Sequence, residues 1–484
     1  MLPILNKTEK NFTTRDNLGL TGATNSMQAE LCPVVTTVTP RAFYWPFLVW
    51  NYYNYHKSCG VPNKDEKEFN VGYVKKNDYY FVLSCLLSHQ NDQDNLAGKE
   101  NAARDINGNR NGVYSYNQDY FKARFGGMQY YNGGCEILGF ITSEDNSANR
   151  YTFPLITESL GKPLALAFEN AICNTEYFKT YRLSDRPVPE DVLIELGNTI
   201  NLPMKHLHEC KLLLKKALFD PEQRIKGQNK TRLIQSSEYV RFIHDSLNRN
   251  PSARQMRLYL YQTCSIRGEK YAVPDDLKEI ACLWETVIGR QFFTLALELI
   301  WKTLLSNLVV PMNMQLWIKK SLNESTFSKV DINGQLLKQA SKWNLSGDKI
   351  ELMIRDGYRG QNKIDGIIDS SLAILFSIYN RFRLREDVSV SFLRYGNEVS
   401  IGSLITYIDR NPDLTVCSFL VHIIQEWILK RHLNVAQEKM FAGRDAYYFN
   451  IEDGLCFKRF DAEPDFAGIR LLSLMQVMKD LDML

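Results

Sequence analysis

The chain of 484 residues lacks the cysteine and leader patterns that would indicate export or a zinc or redox motif. Its ten cysteines are scattered, and no two form a CxxC pair. The first residues have no basic region followed by an apolar run, as a signal peptide would. Free thiols in a reducing cytosol explain this pattern more simply than disulfides do. The sequence therefore predicts a cytoplasmic protein.

Long uncharged apolar segments are also missing. The most apolar long segment, 281–310, is interrupted by Glu285, Arg290, Glu298 and Lys302, whereas a membrane span needs roughly 18 or more nearly uncharged residues. We therefore expect no membrane association. The net charge of +3 indicates no particular charged partner. With 44% hydrophobic and 23% charged residues, the chain can build a large core, and its length predicts two or three domains.

Recognisable phosphate-binding and nucleophile motifs are absent from the sequence. Gly161-Lys162 has no glycine five positions before it, and Pro163 stands where a P-loop needs Ser or Thr for Mg²⁺. No GxGxxG motif follows a strand pattern, and no GxSxG motif occurs. We therefore predict no nucleotide cofactor and no catalytic residue.

Two small groups of metal-ligand residue types remain. His206 and Cys210 of MKHLHEC would share one helix face while His208 points away, but zinc needs about four ligands and no second pair complements them. Asp365 and Asp369 could share a divalent cation, although such a pair is usually a solvated first turn favoured by the helix dipole. We favour ordinary helices and no metal site. A divergent metal-dependent nuclease or hydrolase stays open as the alternative.

The most unusual feature present is an aromatic block at 41–55, RAFYWPFLVWNYYNY, in which eight of fifteen residues are aromatic. Such a block either seats the N-terminal region in a core or docks another subunit, because exposed apolar patches favour association. Tyr44, Trp45 and Trp50 are the candidate partner-binding residues.

Three zones of the sequence differ in composition and in hydrophobic periodicity, and together they predict a mainly α protein. Residues 1–180 predict a loop-rich α+β region. Within it, 90–134 contains eight Asn and seven Gly, which predicts long loops that are either disordered or functional. Residues 181–412 show helical periodicity. Residues 413–484 predict a helix–hairpin–helix module, with Asp453-Gly454 as the hairpin turn. Because this module is compatible with a winged helix, a DNA-binding regulator is a further alternative.

Positive charge is concentrated in one part of the helical zone. Residues 205–257 hold twelve Lys or Arg against five acids. Within them, Arg224, Lys226, Lys230 and Arg232 are the candidate contacts to DNA or RNA phosphates. A second basic group contains Arg381, Arg383 and Arg385. Ordinary solvated helix faces explain both groups equally well.

The two ends of the chain resemble large, poorly characterised bacterial proteins encoded in anti-phage defence clusters. The similar elements at the front are Asp16-Asn17-Leu18-Gly19, Leu31-Cys32-Pro33, Val38-Thr39, Arg41, Tyr44 and Trp50. Those at the back are His432 and Val435, the 445–460 hairpin, Arg470-Leu471-Leu472 and Asp480-Leu481. The resemblance implies a bacterial cytosolic protein that works beside other subunits, and it carries over no active site. We therefore expect a non-enzymatic sensor or adaptor.

Overall fold

The computed structural model describes most of the chain. The described residues are 16–59, 72–89, 92–123, 126–143, 154–223, 225, 230–246, 250–262, 272–322, 337, 343–359, 366–385, 390–395, 398–441, 445–464 and 466–484. Helices dominate these residues, which confirms the predicted mainly α class with small β elements.

The α-helices follow one another in chain order. They are α1 (Thr21–Leu31), α2 (Tyr44–Cys59), α3 (Lys75–Leu87), α4 (Lys99–Gly108), α5 (Asn132–Ile137), α6 (Gly161–Ile172), α7 (Glu190–Thr199), α8 (His208–Phe219), α9 (Lys230–Ser246), α10 (Ala253–Gln262), α11 (Lys278–Asn307), α12 (Met314–Leu322), α13 (Gly347–Arg359), α14 (Ile367–Phe382), α15 (Val390–Leu393), α16 (Ile401–Arg410), α17 (Val416–His422), α18 (Lys430–Phe441) and α19 (Arg470–Asp480). A π-helical segment, Ile423–Leu429, joins α17 to α18.

The strands of the described residues form antiparallel pairs. Strand β1 (Val113–Tyr114) pairs with β4 (Val188–Pro189), β2 (Ile141–Ser143) with β3 (Pro154–Ile156), and β5 (Phe449–Glu452) with β6 (Leu455–Lys458). Asp453 and Gly454 between β5 and β6 both have positive φ, at 50° and 75°. That conformation belongs to the tight hairpin turn that Asp-Gly favours, so the hairpin prediction is confirmed.

The chain forms two compact units, and each is made of separate parts of the sequence. Unit 1 contains 1–28 and 251–468, and unit 2 contains 29–250 and 469–484. Neither unit coincides with one of the three predicted segments, and the hairpin lies in unit 1 while α19 lies in unit 2. The three-domain division stays a prediction.

Unit 2 has a core built by α2, α3, α6 and α7, in which α3 packs on α7 and α2 on α6. Nearly every residue of α3 is buried. The close approach of α7 depends on Gly197, because a Cβ there would lie 2.2 Å from the carbonyl oxygen of Ser84. The Asn- and Gly-rich stretch contributes α4, β1 and the 3₁₀ segments Gln118–Tyr120 and Gly126–Tyr131 to the same unit.

Unit 1 is organised around α11, which packs against α10, α12, α13 and α14. The segment Asp275–Asn307 is long and apolar enough to cross a membrane, but 94% of its most apolar stretch is buried inside the protein. Burial of that degree is typical of a core helix. Gly289 lets α14 approach, since a Cβ there would lie 2.5 Å from the Phe382 ring.

Candidate functional site

Residues from the two ends of the chain meet inside unit 1. Arg431 on α18 donates from Nε to the carbonyl oxygen of Leu18 at 3.0 Å, and Lys439 donates to that of Asp16 at 2.8 Å. Gly19, with φ of +63°, lies so close to Val435 that a Cβ would be 2.8 Å from its Cγ2 atom. We call these contacts, together with those of His432 below, the first clasp.

His432 is the buried centre of the first clasp. Its Nδ1 lies 3.2 Å from the carbonyl oxygen of Asn17, and its Nε2 accepts the backbone N–H of Tyr448 at 3.2 Å. Because Nε2 accepts, Nδ1 carries the proton and the ring is neutral. Burial lowers the pKa of His432 to about 4 even though the bond to Asn17 opposes the shift. The imidazole therefore serves as a neutral link between the start of the chain and the hairpin.

Asp16 fixes the start of α1 in the first clasp. Its Oδ1 accepts the backbone N–H groups of Leu20 and Thr21 at 2.7 and 3.0 Å, and its Oδ2 accepts that of Gly22 at 3.0 Å. These donors have no partner within a helix, so the carboxylate satisfies them and its charge suits the helix N-terminus.

A second clasp joins chain ends within unit 2. The buried Arg41 donates from Nε to Asp480 Oδ2 at 3.0 Å and forms two bonds with the Asp92 carboxylate at 2.8 and 2.9 Å. Burial raises the pKa of Asp480 to about 6, and the charge of Arg41 only partly opposes this. Arg470 of α19 also donates to the carbonyl oxygens of Cys32 and Val35.

Each clasp joins residues from opposite ends of the sequence within one unit. Asp16-to-Gly19 meets α18, and Arg41 meets Asp480 across 439 positions. These residues bind backbone carbonyls, helix ends and one another, so they hold the chain ends in place and are occupied in doing so.

The aromatic block forms α2 and lies in the core of unit 2. Tyr44, Trp45 and Trp50 are 1%, 0% and 1% exposed. Tyr44 packs on Tyr131 with ring centroids 5.0 Å apart, and Trp50 packs on Phe168 at 5.4 Å. The block therefore seats the N-terminal part of unit 2, which is one of the two expected roles. Partner binding by these three residues stays a prediction.

Beside this aromatic core lies a buried carboxylate that no sequence motif singles out. Asp78 on α3 is 0% exposed, and its Oδ2 accepts the Tyr120 hydroxyl and, at 2.7 Å, the backbone N–H of Gly127. Its Oδ1 has no hydrogen-bond partner among the described residues. Burial raises the pKa of Asp78 to about 7, against the opposing effects of Tyr120, Gly127 and Lys75. The carboxyl group can therefore hold a proton near neutral pH.

Two adjacent glycines of the Asn- and Gly-rich stretch allow close packing here, Gly126 against that carboxylate and Gly127 against Ala97. A Cβ at Gly126 would lie 2.1 Å from Asp78 Oδ2, and Gly126 has φ of +64°. A Cβ at Gly127 would lie 2.3 Å from that of Ala97. The Gly126-Gly127 pair is thus a sequence signal of close backbone approach, although it does not say to which residue.

The four residues predicted to contact phosphates are only partly described. Arg224 and Lys226 lie outside the described residues. Lys230 begins α9, is 8% exposed and donates to the carbonyl oxygen of Gln223 at 2.8 Å. Arg232 is half-buried and donates to Gln235 Oε1 at 3.1 Å. Nucleic-acid contact by these residues stays a prediction.

Other basic residues of 205–257 are paired with acids from distant parts of the sequence. Lys211 bonds Asp482 at 2.7 Å, and Arg257 bonds the buried Glu351 at 2.9 Å. Lys205, Lys216 and Arg241 are exposed, and exposed acids such as Glu238 lie among them. The positive surface on α8 and α9 is therefore weaker than the count along the sequence indicates.

The second basic group holds helices of unit 1 together. Arg381 and Arg385 both bind the carboxylate of Glu285 on α11, which is 4% exposed. Arg381 also donates to the carbonyl oxygen of Tyr261. Arg383 is exposed. Two of the three arginines therefore neutralise a buried carboxylate.

The candidate metal ligands do not assemble in the described part of the chain. His206 precedes α8 and is exposed, as is His208, whereas Cys210 is buried. Asp365 lies outside the described residues, while Asp369 is half-buried in the first turn of α14. Among the described residues, no group of three or more His, Cys, Asp or Glu is placed to hold a metal ion.

No protein-family model, curated protein or solved structure shows a significant match to the chain. The resemblance to proteins of anti-phage defence clusters accordingly stays a prediction.

Proposed function

We propose that this chain is a non-enzymatic sensor or adaptor subunit of a prokaryotic anti-phage assembly, and that it binds another protein subunit through an apolar turn of unit 1. The observation that carries the proposal is the turn between α11 and α12. Val309 and Val310 are adjacent there and are 73% and 58% exposed, and Leu316 on α12 is 52% exposed. Adjacent exposed apolar side chains, such as these two valines, are typical of protein–protein contacts.

The turn is held in a fixed position, which favours binding at low entropic cost. Met312 exchanges backbone hydrogen bonds with Cys456 of β6 at 2.8 and 3.4 Å. Trp317 on α12 is 0% exposed and donates from Nε1 to the carbonyl oxygen of Leu304 at 2.6 Å. The valines therefore project from a turn that is bonded to β6 on its C-terminal side and whose flanking helices are joined by the Trp317 bond.

The contacts of the two clasps favour a binding role over a catalytic role. The residues that carry the resemblance, such as Arg41 and His432, use their polar atoms to join the chain ends. A catalytic site needs several groups positioned toward a substrate. Residues whose donors and acceptors are already bonded within the fold instead maintain a shape that a partner can recognise.

The proposal is tested by co-expressing the chain with the products of its neighbouring genes and purifying the complex through a tag on this chain. We expect a stoichiometric partner to co-elute with the wild type. The double variant Val309→Ser, Val310→Ser should lose that partner while its melting temperature stays unchanged, because the removed surface is exposed. Leu212→Ser is the matched control, since Leu212 is a single exposed leucine, 65% accessible, on unit 2.

Retention of the partner by the valine variant would refute the assigned surface, and absence of any partner would refute the adaptor role. A divergent metal-dependent nuclease or hydrolase is the alternative, and a DNA-binding regulator is the second. Contact with DNA or RNA through the basic helical region remains part of the proposal. It is distinguished from the protein contact by its steep loss with rising salt.

A further inference from the structure

Arg290, in the middle of α11, is a buried cation without a carboxylate partner among the described residues. It is 2% exposed. Its Nη1 donates to the carbonyl oxygen of Val399 at 2.6 Å, while Nε and Nη2 have no hydrogen-bond partner in the described part of the chain. Glu285 on the same helix shows the usual arrangement, since two arginines neutralise it. A buried charge left unpaired is strongly destabilising.

The two unpartnered nitrogens of Arg290 are the pair that lies along one edge of the guanidinium group. Their N–H bonds are parallel, and this edge matches the two oxygens of a carboxylate or phosphate. The opposite end of the group is fixed, because Nη1 is bonded to Val399 and the guanidinium carbon lies 5.1 Å from the centre of the Phe293 ring. The open edge is therefore oriented before any ligand binds.

The charge of a second arginine of unit 1, Arg431, also acts on Arg290. The charge of Arg431 lowers the pKa of Arg290 after the larger effect of burial, and Asp16 acts in the opposite direction. Arg431 is itself positioned by the carbonyl oxygens of Leu18 and Gly19. The Asp16 carboxylate is bonded to three backbone N–H groups of α1, and the exposed Glu398 lies 4.0 Å from Nη1 of Arg431, so neither carboxylate is bonded to Arg290.

Further buried polar atoms on α11 also lack partners in the described residues. Gln291 donates from Nε2 to the carbonyl oxygen of Ala467 at 2.8 Å, which leaves its Oε1 unpartnered. Thr294, one turn beyond Arg290, is 4% exposed, and its Oγ1 has no partner. Of these two atoms, only the Thr294 hydroxyl can donate to an anion, and Thr294 lies on the same helix face as Arg290, whereas the Gln291 oxygen can only accept.

We propose that unit 1 binds one small oxyanion, a carboxylate or a phosphate, on the open edge of Arg290. The anion accepts two parallel hydrogen bonds from Nε and Nη2 and neutralises Arg290, for which the described residues supply no carboxylate. This inference is independent of the proposed adaptor function, because it concerns a ligand of this chain alone.

The test compares thermal melting of the full chain in chloride, acetate and inorganic phosphate at one ionic strength and pH. We expect acetate, phosphate or both to raise the melting temperature of the wild type by several degrees, as about 100-fold ligand excess over Kd does. A response to acetate alone would identify the ligand class as a carboxylate, and a response to phosphate alone would identify it as a phosphate. Isothermal titration should give one site per chain.

Arg290→Met should lose the anion-dependent shift and melt no lower than the wild type in chloride, because it removes an unpaired buried charge and keeps an apolar stem. Arg431→Gln should weaken the shift. Arg383→Met, at an exposed arginine of the same unit, should respond as the wild type does. Equal melting of the wild type in all three salts would overturn the proposal, as would an undiminished shift in Arg290→Met.

Discussion

Asp78→Asn should make the stability of this protein less dependent on pH. The carboxylate is fully buried, and burial raises its pKa from 3.8 to about 7. Each unit of pKa difference between the folded and unfolded states corresponds to about 1.4 kcal/mol. The folded state therefore favours protonated Asp78 by about 4 kcal/mol.

The sign follows from which state binds the proton more tightly. Because the folded pKa is the higher one, the stabilisation by protonation of Asp78 is fully present below pH 3.8 and is lost as the pH rises through about 7. Between pH 5 and pH 8 the wild type should lose about 3 kcal/mol through this group. The asparagine side chain of the variant cannot ionise, and its oxygen can still accept from Tyr120 and Gly127, so the variant should not show that loss.

The measurement is urea unfolding of the wild type and the Asp78→Asn variant at half-unit steps from pH 5 to pH 8. The variant should become the more stable of the two as the pH rises. Asp94→Asn is the control, because Asp94 is an exposed aspartate of the same unit, and its profile should follow the wild type. Parallel profiles for Asp78→Asn and the wild type would show that the carboxylate does not titrate in this range.

Two further predictions concern the packing of Gly126 against Asp78 and the absence of catalysis by this chain. Gly126→Ala should destabilise the protein by about 3 kcal/mol or more, because the new Cβ overlaps Asp78 and the positive φ adds backbone strain. Gly112→Ala is the control: Gly112 has φ of +63° but no atom within 4 Å, so this change should cost only about 1–2 kcal/mol of strain. Equal losses of stability in urea unfolding would mean that Gly126 is not tightly packed against Asp78. The purified chain should not cleave plasmid DNA, RNA or nucleotide triphosphates in a titration of Mg²⁺, Mn²⁺ or Zn²⁺, and turnover that disappears in an Asp365→Ala, Asp369→Ala double variant would instead support the nuclease alternative.

Local features of this protein could be predicted from sequence because their causes lie within a few residues. Asp453-Gly454 adopts the positive φ angles that its residue types favour, and the hairpin follows. The helical periodicity of 181–412 includes the apolar residues Trp284, Ile288, Phe292, Leu295 and Leu299 at spacings of three and four, and the structure contains a helix there from Lys278 to Asn307. The predominance of helix follows from the same kind of local pattern.

The division of the chain into units depends on contacts that no local pattern contains. Unit 1 includes residues 16–28 together with 251–468, and unit 2 includes residues 469–484 together with 29–250. Arg41 meets Asp480 across 439 positions, and nothing near either residue identifies the other. Counting charges along the sequence overestimates the exposed positive charge for the same reason, because Arg381 and Arg385 bind a carboxylate about 100 residues away.

The candidate sites belong to the tertiary structure in the same way. Asp78 stands in a stretch that contains two lysines, but folding buries it against Tyr120 and Gly127. Arg290 is one of several charged residues in a largely apolar helix, and the packing around α11 leaves one edge of its guanidinium unpartnered among the described residues. Sequence alone determines which groups can ionise or donate a hydrogen bond. Whether such a group is solvated, paired or left open depends on burial and on partners that only the folded chain brings together.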